Sequence, residues 1–184
     1  LSKAPARVVG AAADAHRLPP LDQPVREGDT ITLGRESGTV IDVPGHTVGH
    51  IAFHFPDSRL VFTADSLMAL GCGRLFEGTP AQMHASLNKL AALPGDTTVC
   101  SGHEYTASNA KFALTIDPGN TALISRADAV QAARAKGEPT VPSLLSEELA
   151  TNPFLRAADP AIQAGLGMQG ADIVDVFAEI RTRK

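Results

Sequence analysis

Apolar positions in the first hundred residues fall in short runs cut by Gly and Pro. Segments 7–10, 30–33, 39–43 and 59–63 are β-branched or apolar, and each predicts a strand. Segment 50–55 alternates strictly, with Ile51, Phe53 and Phe55 on one face and His50, Ala52 and His54 on the other. Segment 97–100 predicts a further short strand. Gly28-Asp29, Pro44-Gly45 and Pro56-Asp57-Ser58 supply the turns between these runs.

The period changes after Thr79. Met83, Leu87 and Leu90 recur at helical spacing, Thr79 is a candidate N-cap, Pro80 suits the first helical position, and Gln82 completes a capping box. Beyond His103 the chain turns Ala-rich, with helical patterns at 106–116 and 121–136, the second closed by Gly137 with Pro139 beyond. Segments 143–150 and 173–183 also predict helices, the last with Ile173, Val176, Phe177 and Ile180 on one face. A strand-rich α/β portion, 1–105, is therefore expected ahead of a small α-helical domain, 106–184.

Composition removes several function classes. The 184 residues carry 16 Lys and Arg against 20 Asp and Glu, a net charge of −4. That balance, with seven Phe, one Tyr and no Trp, argues against a nucleic-acid binder that neutralises phosphates or stacks bases. No apolar run nears the ~18–20 residues that span a bilayer, so no membrane-spanning helix is expected. Cys72 and Cys100 do not make a disulfide framework, which favours a reducing, cytoplasmic setting. The start lacks the apolar core of a signal peptide, and a chain that begins at Leu1 rather than Met is expected to have been trimmed, processed or taken from a longer protein.

Three segments gather chemistry where a predicted strand gives way to a loop: Pro44-Gly45-His46, Thr63-Ala64-Asp65-Ser66 and Ser101-Gly102-His103-Glu104-Tyr105. Strand ends are where rigid frames present reactive side chains. His46, Asp65 and His103 suit zinc or a similar divalent ion, and a glycine before each histidine lets the backbone turn tightly. The residues alone leave two readings open, a metal site or three separate turn and cap residues. His50 and His54 are expected to be structural and His16 and His84 to lie at the surface. Cys72 sits in a tight Gly-Cys-Gly turn, and Cys100 is expected to be a buried strand residue.

Taken in order, Gly45-His46-Thr47-Val48-Gly49-His50, Phe62-Thr63-Ala64-Asp65-Ser66, Gly71-Cys72-Gly73-Arg74-Leu75-Phe76-Glu77-Gly78-Thr79, Ser101-Gly102-His103-Glu104-Tyr105-Thr106 and Asn152-Pro153-Phe154-Leu155-Arg156 resemble the hydroxyacylglutathione hydrolase (glyoxalase II) family of the metallo-β-lactamase superfamily. The resemblance runs along essentially the whole chain. It implies an αββα sandwich followed by a helical domain, and hydrolysis of S-D-lactoylglutathione to D-lactate and glutathione by a metal-bound hydroxide, with two divalent ions as cofactors. Zinc is expected, with iron or manganese as alternatives. By that similarity His46 would bind one metal, Asp65 would bridge both, and His103 would bind the other. Arg74, Phe76, Tyr105, Arg181 and Lys184 would meet the glutathione thioester, and the chain would act as a monomer.

The pattern also departs from that family. Its upstream His-x-His-x-Asp-His segment has no counterpart in these residues, so the sandwich is expected to be partial, lacking N-terminal strands and the first metal motif. Three ligands are then expected to be too few for two metals. Ala64 stands where the family usually has Gly, and Phe76 where some members have Tyr. Three alternatives follow: an inactive fragment, a module that binds glutathione conjugates without turnover, and a persulfide dioxygenase-like iron enzyme of the same fold.

Overall fold

The capping box predicted at Thr79 forms: its hydroxyl accepts the Gln82 N–H, and the Gln82 side chain accepts the Thr79 N–H. Those bonds and Pro80 start helix α1, Pro80–Ala91, which buries Met83, Leu87 and Leu90. The structure, a computed structural model, describes residues 6–184; Leu1 lies outside them. Among the described residues ten strands form: β1 Val9–Ala11, β2 Gln23–Val25, β3 Thr30–Leu33, β4 Glu36–Asp42, β5 Ile51–Phe55, β6 Leu60–Ala64, β7 Leu67–Met68, β8 Gly71–Cys72, β9 Thr98–Ser101 and β10 Ser143–Leu144. After β9 come α2 Thr106–Ile116, α3 Thr121–Ala135, α4 Leu145–Thr151, α5 Pro160–Leu166 and α6 Ile173–Arg183.

Six strands make the main sheet in the order β10-β9-β6-β5-β4-β3. Only β6 and β9 run parallel in it, so their C-terminal ends open on the same side. Ala52, Val61 and Val99 point from neighbouring strands into one cluster with Met83, Leu87 and Leu90 of α1. That cluster continues through Phe154, Ile162, Val176, Phe177 and Ile180, so the helical portion shares a core with the sheet. Burial of this kind contributes about 25 cal/mol per Å² of apolar surface.

The structure refines several expectations. In β5 the small Ala52, not the phenylalanines, faces the helices, while Phe62 of β6 is 42% exposed on the opposite side. Segment 143–150 does not begin as helix: Ser143 and Leu144 pair with Val99 and Thr98, and α4 starts only at Leu145. Two residues are too few to carry a period of their own. Helix α5, at seven residues, is too short to show a period in the sequence, although Asp159 caps it, Pro160 opens it, and Gly167 closes it at φ 73°. Cys100 is half-buried rather than buried. Among the described residues no helix is long and apolar enough to cross a membrane.

Candidate active site

Asp65 follows the end of β6, and His103 follows β9 beside it; His46 lies in the loop between β4 and β5. The two histidines meet the aspartate from opposite sides. His46 Nε2 lies 3.5 Å from Asp65 Oδ2, and His103 Nε2 lies 3.5 Å from Oδ1. Both separations exceed those of a charge-assisted hydrogen bond, about 2.7–2.9 Å. They match the spacing of two ligands on one tetrahedral ion, about 3.4 Å when each bond is near 2.1 Å. Asp65 Oδ1 is buried without a hydrogen-bond partner. Such an oxygen is costly to leave unsatisfied, and a cation would satisfy it. The residues present therefore fit a divalent metal as ligands. They are not a full cage: among the described residues no three His, Cys, Asp or Glu side chains group about a single point.

The surroundings fix these three side chains. His46 Nδ1 lies 2.8 Å from the Arg74 carbonyl, which can only accept, so Nδ1 carries the proton and Nε2 is free to ligate. The Asp65 N–H donates to His50 Nε2 at 3.1 Å. Burial, and then the neighbouring His46, push the His50 pKa down and keep that ring neutral. Two glycines make room for Asp65. A Cβ on Gly73 would sit 1.9 Å from the Asp65 carbonyl oxygen, and one on Gly102 would sit 2.8 Å from Oδ1. Gly102 thus serves close approach, whereas Gly45 takes φ +151°. Glu77 ties the His46 loop to the segment beyond Gly73, accepting from the Val48 N–H and pairing with Arg17. The Arg17 guanidinium holds its pKa down at about 2.

A cleft of about 520 Å³ opens over these groups. All eight residues singled out in the sequence line it: His46, Asp65 and His103, with Arg74, Phe76, Tyr105, Arg181 and Lys184. Phe76 and Tyr105 are 66% and 51% exposed. Phe76 lies against the His46 ring at 4.9 Å, and Tyr105 stacks on His103 at 5.2 Å. Arg181 Nη1 donates to the Cys72 carbonyl at 3.2 Å, its guanidinium over Phe154. Lys184 donates to Asn109 Oδ1 and lies over Phe112. Burial, with the nearby Arg181, pulls the Lys184 pKa down to about 8. Burial pushes the Cys72 thiol up to about 11, so it stays protonated and unreactive at neutral pH.

Sequence reasoning missed Met68, Cys72, Gly73, Ser108 and Asn109 as lining residues. Asn109 was within reach, because it lies one helical turn after Tyr105 and donates its N–H to that carbonyl.

A metallo-beta-lactamase superfamily model matches residues 5–103, and a model for the hydroxyacylglutathione hydrolase C-terminus matches residues 104–184. The hydroxyacylglutathione hydrolase of Jannaschia sp. (strain CCS1) is 70% identical over 179 residues, covering 97% of this chain and 70% of the relative. The chain belongs to the hydroxyacylglutathione hydrolase family. The Ruegeria pomeroyi member is 72% identical over 177 residues, covering 96% of this chain and 69% of that protein. A di-iron-bound crystal structure of the protein TTHA1623 is 27% identical, with a TM-score of 0.51 over 81% of this chain and 65% of that one. Hydroxyacylglutathione hydrolases are metal-dependent thioesterases on a metallo-beta-lactamase fold with a C-terminal helical domain. This chain has both portions. It spans about 70% of the length of these relatives.

Proposed function

We propose that this chain serves the hydrolysis of S-D-lactoylglutathione to D-lactate and glutathione, with Asp65 as the shared metal ligand and His46 and His103 as ligands on either side. The observation that carries the reading is the arrangement around Asp65: two imidazole nitrogens, each 3.5 Å from its own carboxylate oxygen, one of those oxygens buried without a partner. A bound divalent pair would acidify a water and polarise a carbonyl oxygen. Zinc is the ion we assign, with iron as the alternative that the di-iron relative supports.

The rest of the chemistry falls to the chain's own side chains. Glutathione is anionic, and Arg74, Arg181 and Lys184 set positive charge around the cleft of a protein whose net charge is −4. Arg181 and Lys184, three residues apart at the end of α6, share a face and together suit one carboxylate. Phe76 and Tyr105 present apolar surface beside the two histidines and shield the thioester from bulk water. Phe76 lacks the hydroxyl a tyrosine would offer, so it packs without hydrogen bonding. A thiolate is a fair leaving group, so no strong general acid is required.

The same reading divides the chain at 105/106, treats a small molecule as its partner, and takes it to act as a monomer in the cytoplasm. Its two cysteines are free, in keeping with that compartment. The test is thioester hydrolysis by the protein carrying this chain and by its Asp65→Ala variant, with metal content measured on both. Loss of turnover in the variant is expected. An active Asp65→Ala protein with intact metal would overturn the mechanism. The incomplete ligand cage among the described residues favours one second reading, binding of glutathione conjugates without turnover.

A further inference from the structure

The mechanism above leaves one fully buried carboxylate unused. Glu148 of α4 is 0% exposed, pairs with Arg126 of α3, and accepts the Ser143 hydroxyl at 2.7 Å and the Leu70 N–H at 2.8 Å. Asn152, also 0% exposed, donates its amide to Glu148 Oε2 at 3.0 Å, to the Gly71 carbonyl at 3.0 Å and to the Met68 carbonyl at 3.2 Å. Helix α4 and its C-cap thus grip one turn, 68–71, at three backbone groups.

That turn serves the site on its other side. The Ala69 carbonyl accepts the Asn109 amide at 2.8 Å, which leaves Asn109 Oδ1 to take the Lys184 ammonium. The Cys72 carbonyl accepts from Arg181, the Gly73 N–H donates to the Ser66 carbonyl at 3.0 Å, and the Arg74 carbonyl accepts from the His46 Nδ1–H. Leu70 sits at φ 57°, a conformation that a non-glycine residue holds only when its surroundings impose it. Neither Glu148 nor Asn152 lines the cleft.

We propose that Asn152, backed by Glu148, is a positioning residue: by strapping the 68–71 turn it sets the direction of Lys184, Arg181 and the His46 ring together. A buried ion pair adds little net stability, and a use in fixing one arrangement accounts for its presence. That the cleft takes glutathione rests on the function proposed above; the hold on His46 does not.

The experiment compares wild type, Asn152→Ala and Ser143→Ala by thermal unfolding, by glutathione titration, and by the imidazole ¹⁵N signals of His46. Ser143→Ala removes one bond to Glu148 but leaves every strap on the turn. Asn152→Ala is expected to weaken glutathione at least tenfold and to shift the His46 signals, while Ser143→Ala lowers the unfolding temperature and moves neither. Unchanged affinity and unchanged His46 signals in folded Asn152→Ala would overturn the proposal, leaving only a structural lock. Equal losses in both variants would overturn it too. If Asn152→Ala does not fold, Asn152→Ser, whose donor is too short to reach both carbonyls, carries the same measurements. If wild type does not bind glutathione, the proposed function fails, and the His46 signals alone decide the role of Asn152.

Discussion

His46 donates its Nδ1–H to the backbone carbonyl of Arg74, 2.8 Å away, and so turns Nε2 toward Asp65. One residue therefore has two separable roles: its peptide group orients a ligand, while its side chain lines the cleft. Arg74→Ala should weaken glutathione binding about tenfold, since a hydrogen bond to a charged group contributes about 1.5–3 kcal/mol and this side chain is exposed. The His46 ¹⁵N signals should not change. Calorimetry and the imidazole spectrum check the two halves, and an altered His46 tautomer would contradict the division.

Ala64 stands at φ 44°, a left-handed conformation that costs a residue with a Cβ about 1–2 kcal/mol. Ala64→Gly should therefore stabilise the fold by about 0.5–1 kcal/mol after the greater chain entropy of glycine is subtracted. Urea unfolding measures this directly. A lower midpoint in the variant would mean that Ala64 is not strained. Gly73→Ala should do the reverse, because its Cβ would collide with the Asp65 carbonyl.

Lys184 supplies a pH signature. Its pKa is lowered, first by burial and then by Arg181, to about 8. The folded chain thus releases this proton before the unfolded one does. Between pH 8 and the ordinary lysine range near 10.4 the unfolded state holds more protons, so this group makes stability rise with pH. Binding behaves oppositely. Affinity for S-methylglutathione, which has no free thiol, should be flat below neutrality and fall as pH passes through 8. Lys184→Arg should remove most of that fall. A profile identical in the variant would show that another group is responsible.

His50 holds the Asp65 N–H with Nε2. His50→Leu leaves that half-buried donor unpaired and should cost about 1 kcal/mol, whereas His50→Gln can keep an acceptor there and should cost less. Chemical denaturation of the two variants separates them. Equal losses would mean that packing, not the hydrogen bond, is what His50 supplies.

Much of the site was legible in the sequence because its residues stand at or near strand ends, the two histidines directly after glycines. His46, Asp65 and His103 each follow a strand or lie in the loop between two, and the motif order that resembled a family also named the cations of the last helix. The physical support behind them was not legible. Asn109, Glu148 and Asn152 are polar residues on helices, where pattern alone reads surface, and their burial depends on a turn whose register only the fold sets. Leu70 reads as one more apolar residue, with nothing to mark its positive φ. The strand at Ser143 and Leu144 was hidden because the helix that follows masks two residues of extended chain.

Titrating the isotope-labelled protein with glutathione, followed by NMR, decides whether this cleft is a glutathione thioester site. Saturable shifts are expected at Arg74, Tyr105, Arg181 and Lys184, with the affinity reduced at least tenfold in the Arg181→Ala, Lys184→Ala double variant. Shifts that do not saturate, or that fall outside the cleft, would contradict that reading.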